Sequence, residues 1–288
     1  MCGRYAASAS SDDLVEEFDV VLDRTTEPVR SVLKSAQEPP AGSPDYNLAP
    51  SENVRVVLER PARRAGARDE TSEEQLDEQS DEPVRQLRLL TWGLVPSWAK
   101  DPSVGMRMFN ARAETVLEKP AFRKAALARR ALVPADGWYE WQKSPTATLK
   151  GKPRKQPFYV HRADGRPIAF AGLYEFWKDP TADPADPLSW LATVSIITTV
   201  AEPGLDRLHD RQPLVLEQRD WDRWLDPTLE DPEEIGAMLA FSEPGRFDAY
   251  PVGRAVGSSS ASGPGLVQPA PADELEGVVD PATGEIIG

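Results

Sequence analysis

Four side chains spread along 288 residues carry the reactive chemistry of this sequence: Cys2, Asn110, Glu140 and His209. Cys2 is the only cysteine and directly follows Met1, so removal of the initiator methionine would leave it as the free N-terminus. An α-amino group and a thiol would then share one carbon framework. Their reference pKa values are about 7.7–8.0 and about 8.5, so both are partly nucleophilic near neutral pH. Such an aminothiol captures aldehydes: the amine forms a Schiff base and the thiol closes a thiazolidine ring. No internal cysteine can do this. Taken alone, Cys2 also reads as an ordinary buried N-terminal residue.

Glu140 lies in Gly137-Trp138-Tyr139-Glu140-Trp141. Strand alternation puts it on one face with Trp138, and Tyr139 and Trp141 on the other. A carboxyl hemmed in by aromatics has a raised pKa, which suits a general acid/base; a strand-edge glutamate facing water is the plain alternative. His209, one of two histidines, follows a Pro203-Gly204 turn and precedes Asp210, Arg211, Gln212 and Pro213. A loop histidine beside an acid is a candidate proton shuttle, and equally a surface or capping residue. His161 is assigned no role. Asn110, Arg112 and Glu114 alternate, so on an extended segment an amide, a guanidinium and a carboxyl face one way, and arginine grips phosphate well. Trp92 and Trp98 flank a turn, as core residues or as a surface for stacking bases.

These residues need short strands to position them. Val54–Leu58, Leu87–Thr91, Ala131–Val133, Gly137–Trp141, Phe158–His161, Ile168–Phe176, Thr193–Thr199 and Leu214–Leu216 read as strands. Ser10 and Asp13 form a capping pair before a helix, and further helices are expected at Lys119–Ala131, Trp221–Leu225 and Glu233–Phe241. The expectation is one α+β domain of curved, mainly antiparallel, barrel-like sheets flanked by helices.

Charge and composition set limits. The formal charge of −14 is concentrated in Pro61–Pro83 and Ser258–Gly288, each with a net charge of −5. Both segments lack periodicity, so residues 61–83 read as a disordered acidic insertion between two paired strands, and residues 269–288 as a disordered acidic tail. Two basic stretches, Lys119–Arg130 and Lys150–Arg166, leave room for a local anion-binding face, while the acidic total weakens strong nonspecific DNA binding. One cysteine makes no internal disulfide, and no signal pattern or long apolar run occurs, so a cytoplasmic protein with no metal, cofactor or membrane partner is expected.

Six segments appear in order: Met1-Cys2-Gly3-Arg4-Tyr5, Tyr46-Asn47-Leu48-Ala49-Pro50, Trp92-Gly93-Leu94-Val95-Pro96, Asn110-Ala111-Arg112-Ala113-Glu114, Ala135-Asp136-Gly137-Trp138-Tyr139-Glu140-Trp141 and His209-Asp210-Arg211-Gln212-Pro213. Together they resemble the SOS response-associated peptidase (SRAP) family, over residues 2–268. The resemblance implies a DNA-damage protein that crosslinks its N-terminal cysteine to abasic sites in single-stranded DNA. It is expected to act as a monomer, nucleoid-associated when bound to DNA, with lyase side activity and with Met1 removed by autoproteolysis or by an aminopeptidase. It implies Cys2 as nucleophile, Asn110, Glu140 and His209 as catalytic neighbours, and Arg4, Pro50, Trp92, Trp98, Arg112 and Arg211 as DNA contacts. A thiol peptidase and a non-catalytic module binding single-stranded DNA are the alternatives.

Overall fold

Alternation along the strands decides the layers. Val56, Val133 and Phe170 face one apolar cluster, while their neighbours Val57, Leu132 and Ala169 face another. A strand buried on both faces must have a layer on each side. The computed structural model describes residues 2–61, 82–183, 185–240 and 244–288. Its strands are β1 (Tyr5–Ala7), β2 (Leu22–Asp23), β3 (Asp45–Leu48), β4 (Asn53–Pro61), β5 (Pro83–Trp92), β6 (Asn110–Arg112) and β7 (Arg130–Ala135). They continue as β8 (Gly137–Leu149), β9 (Lys152–Arg162), β10 (Ile168–Lys178), β11 (Trp190–Val200), β12 (Arg211–Pro213) and β13 (Phe247–Pro251). The helices are α1 (Ser11–Glu17), α2 (Pro120–Ala128), α3 (Gln218–Leu225) and α4 (Pro232–Met238).

β7, β4, β5, β11 and β10 close into a barrel, antiparallel except where β5 meets β11 in parallel. A second sheet runs β13-β9-β8-β1-β3. Asp136 turns the chain from β7 in the barrel to β8 in this sheet. Tyr5, Trp92, Trp138, Phe158 and Phe170 fill the space the two share. The helices cover the barrel's other face, where Phe18 stacks on Trp221 with centroids 4.4 Å apart. This is the α+β, barrel-like architecture expected from the sequence. Ser10 and Asp13 form the reciprocal cap of α1.

β4 and β5 pair in register from Asn53↔Thr91 to Pro61↔Pro83, so the acidic insertion does connect two paired strands; residues 62–81 lie outside the described residues. One expectation is extended and another corrected. The paired strand after His209 is Arg211–Pro213, and Leu214–Leu216 continues from it with an isolated bridge from Val215 to Phe170 and backbone hydrogen bonds to Ala169, Ala171 and Ile197. The tail is not loose. Val278 is buried in the shared core, Ala270 donates to Pro251, and Gln142 and Val279 exchange two hydrogen bonds. Its acidic composition hides a few apolar anchors and backbone groups that the second sheet satisfies.

Gly137 marks the closest approach in this sheet. A Cβ there would stand 2.4 Å from the Val160 carbonyl oxygen and 2.6 Å from Cζ of Tyr159. Gly137→Ala is therefore expected to destabilise the fold by about 1–3 kcal/mol, the usual range for overpacking. Chemical denaturation would read the loss, and an unchanged midpoint would show that the two strands part easily here.

Candidate active site

The register of β1 carries the chain's first residues alongside Glu140. Tyr5 pairs with Trp138 and Ala6 with Gly137, and the Tyr139 amide donates to the Arg4 carbonyl at 3.0 Å. From the other side, β6 lies parallel to β11 with Asn110 opposite Ile196. Asn110 Nδ2 then donates to the Cys2 carbonyl at 2.7 Å, tying together segments 108 residues apart.

Cys2 is fully buried, its Sγ 3.7 Å from the Arg4 carbonyl oxygen. Burial first, and the Glu140 carboxylate second, push its thiol well above the usual range. Glu140 is 4% exposed and faces inward with Trp138, as alternation predicts. Burial pushes its carboxyl up to about 8, with the amino-terminal charge opposing the shift and Asp210 adding to it. Near neutral pH this carboxyl is mostly protonated, so it has a proton to give. Among the described residues, neither Glu140 Oε1 nor Asn110 Oδ1 has a hydrogen-bond partner, although both are buried. Each such group costs about 1–3 kcal/mol and calls for an explanation.

His209 is half-buried between the turn at Leu205–Arg207 and β12. Its Nδ1 stands 3.0 Å from the Arg211 amide and 2.8 Å from Asp210 Oδ1. One nitrogen cannot serve both: a bare Nδ1 accepts from the amide, and a protonated one donates to the carboxylate. Burial, then the amino-terminal charge, lowers the pKa of this histidine, which favours the neutral ring. With Nδ1 accepting, the proton sits on Nε2.

The residues expected to touch DNA divide into two groups. Arg112 is exposed, Trp98 is 66% exposed and Pro50 is half-buried, so all three present surface. Trp92 does not: it is fully buried, its Nε1 donates to the Phe109 carbonyl, and Tyr5 packs edge-on against it. It is a core residue and offers no face to a base. Arg211 forks onto both carboxylate oxygens of Glu114, at 2.6 and 3.0 Å, and donates to the Thr198 carbonyl. Its charge is already matched, so it braces the turn after β6 and the end of β11 against β12 rather than standing ready for phosphate. Arg4 is half-buried and donates to Asn47 Oδ1 at 2.9 Å.

Asp210 and Glu114 were both noted in the sequence, and one further neighbour, Gln142, was missed. Asp210 stands against the His209 ring and Glu114 clamps Arg211. Gln142 is buried two positions beyond Glu140, and continuing the Trp138–Glu140 alternation by one step would have found it. Among the described residues, no cluster of three His, Cys, Asp or Glu side chains is placed to hold a metal. No helix among them is long and apolar enough to cross a membrane.

Residues 1–259 match the family described as SOS response associated peptidase (SRAP). The abasic site processing protein YoqW of Bacillus subtilis (strain 168) is 32% identical over 270 residues, covering 93% of this chain and 99% of its own. Abasic site processing protein YedK of Escherichia coli (strain K12) is 29% identical, covering 93% of this chain and all of its own. A crystal structure of a protein from Bacteroides thetaiotaomicron shares the fold, with a TM-score of 0.66 at 23% identity over 94% of this chain and all of its own.

Proposed function

The chain belongs to the SOS response associated peptidase family, and from that premise we propose that it processes abasic sites in single-stranded DNA by capturing them on Cys2. The observation that carries this reading is the Asn110–Cys2 hydrogen bond, which fixes the start of the chain beside a buried, protonated Glu140. Relatives named as abasic site processing proteins point the same way.

The chemistry follows from the protonation states. Once Met1 is removed, by the chain itself or otherwise, the Cys2 amine attacks C1′ of the ring-opened sugar and gives a carbinolamine. Glu140 donates its proton to the departing hydroxyl, water leaves and a Schiff base forms. The thiol then adds to the same carbon: its proton passes to the Glu140 carboxylate, the C=N electron pair returns to nitrogen, and a thiazolidine closes. One aldehyde and one aminothiol give one ring and one water, and Glu140 ends protonated as it began. A thiol pushed up by burial suits this order, in which the amine attacks first.

The unpartnered Asn110 Oδ1 is an acceptor for the product's N–H, and His209 stands by as a neutral imidazole for proton transfer. The Schiff base also permits β-elimination as a lyase side reaction. Arg112, Pro50 and Trp98 would seat the flanking strand.

The test is incubation with a single-stranded oligonucleotide carrying one abasic site, followed by denaturing electrophoresis. An adduct is expected with that strand, none with an intact strand, and none with Cys2→Ala. Equal retention of both strands without an adduct would leave only a binding module.

A further inference from the structure

The C-terminal residues form a structure of their own beside the site. Val279 bridges Ile286, and the Gly277 amide donates to the Gly288 carbonyl, so residues 277–288 fold back as a small hairpin. One side is anchored at Gln142, two positions beyond Glu140, through two hydrogen bonds of 2.8 Å to the Val279 backbone. The other side is anchored at Arg207, two positions before His209, which donates to the Pro281 carbonyl at 2.5 Å. The hairpin thus spans the strand of Glu140 and the loop of His209. Val278, 1% exposed, sits in the same apolar cluster as Cys2, Leu205 and Leu208. Arg154 holds the approach to the hairpin through the carbonyls of Glu274 and Glu276.

We propose that this hairpin is a displaceable strap, which closes the approach to Cys2 by occupying surface that the DNA strand must take. It rests on the reading of the site given above. The segment is acidic without a compensating base, and its anchors are arginines and an amide, which suit a nucleic-acid backbone as well as peptide carbonyls. Its hold is light: Gly277, Val278 and Pro281 are buried, and residues 282–288 are exposed throughout. Few buried apolar contacts and many exposed backbone groups mark a segment that opens locally before the fold does. The family match ends at residue 259, before the strap begins. A strand arriving with an abasic site would exchange its phosphates for the strap's carbonyls at Arg207 and Arg154, leaving Cys2 open.

The experiment compares the full chain with a chain ending after Gln268 and with full-length Val278→Asp, which adds charge while evicting the buried anchor. Two rates are read: adduct formation with abasic single-stranded oligonucleotide, and alkylation of Cys2 by iodoacetamide, free of background because no other cysteine exists. Both variants are expected to be about tenfold faster in both readouts, the effect of an open state populated about one time in ten. Unchanged alkylation in both variants overturns the strap. So does faster crosslinking by the truncated chain alone, which charge repulsion explains. Faster alkylation with no adduct from any protein upholds the strap and removes the DNA reading instead. If truncation prevents folding, Val278→Asp decides alone.

Discussion

Glu140→Gln is expected to slow adduct formation by about 10²–10⁴-fold, the range for loss of a positioned acid/base. Glutamine keeps the size of the side chain and one acceptor oxygen, so Cys2 and Asn110 keep their places. It has no proton to give to the leaving hydroxyl and no charge to receive the thiol's proton. Wild-type and variant binding to an intact strand should agree, because Glu140 is buried and touches no surface that a phosphate reaches. Single-turnover kinetics under denaturing quench would measure the difference. An unchanged rate would move the acid/base role to His209.

The same substitution is expected to stabilise the protein in alkali. Burial raises the Glu140 carboxyl from 4.5 to about 8, so the folded chain holds a proton that the unfolded chain releases. The contribution of this group to stability is fully present below about pH 4.5 and is lost as pH rises through about 8. A tenfold change in proton affinity is worth about 1.4 kcal/mol, so the loss is on the order of a few kcal/mol. Glutamine does not titrate. Denaturant unfolding should therefore show the variant drawing ahead of wild type above pH 6 and level with it near pH 4.5. Glu52, raised to about 7 by its own burial, bends both curves alike and cancels in the difference. Parallel curves would show that Glu140 is solvated. A residue that speeds the reaction while weakening the fold is what a buried acid at a working site entails.

Much of this site was legible because its signals are local. The Trp138–Glu140 alternation gave the inward face of β8 from five residues, and Ser10 with Asp13 gave a helix start from four. What joined the pieces was not local. Asn110 reaches Cys2 only because β6 adds in parallel to β11, and a register between distant strands leaves no mark in either segment.

The misreadings have the same origin. The resemblance offers Trp92 as a DNA contact, but the strand it ends is part of a closed barrel with Tyr5 and Phe109 against it. The resemblance likewise offers Arg211, whose counter-charge Glu114 is 97 residues away in sequence. The tail's average composition cannot register that Val278 and a pair of backbone groups find partners.

Covalent trapping by an unblocked cysteine terminus is tested most directly by weighing the intact protein before and after exposure to an abasic single-stranded oligonucleotide. The predicted species lacks Met1 and gains the full mass of the oligonucleotide less one water, and prior acylation of its terminal amine abolishes the gain. A processed protein whose mass does not change, or an acylated one that still couples, would contradict the account.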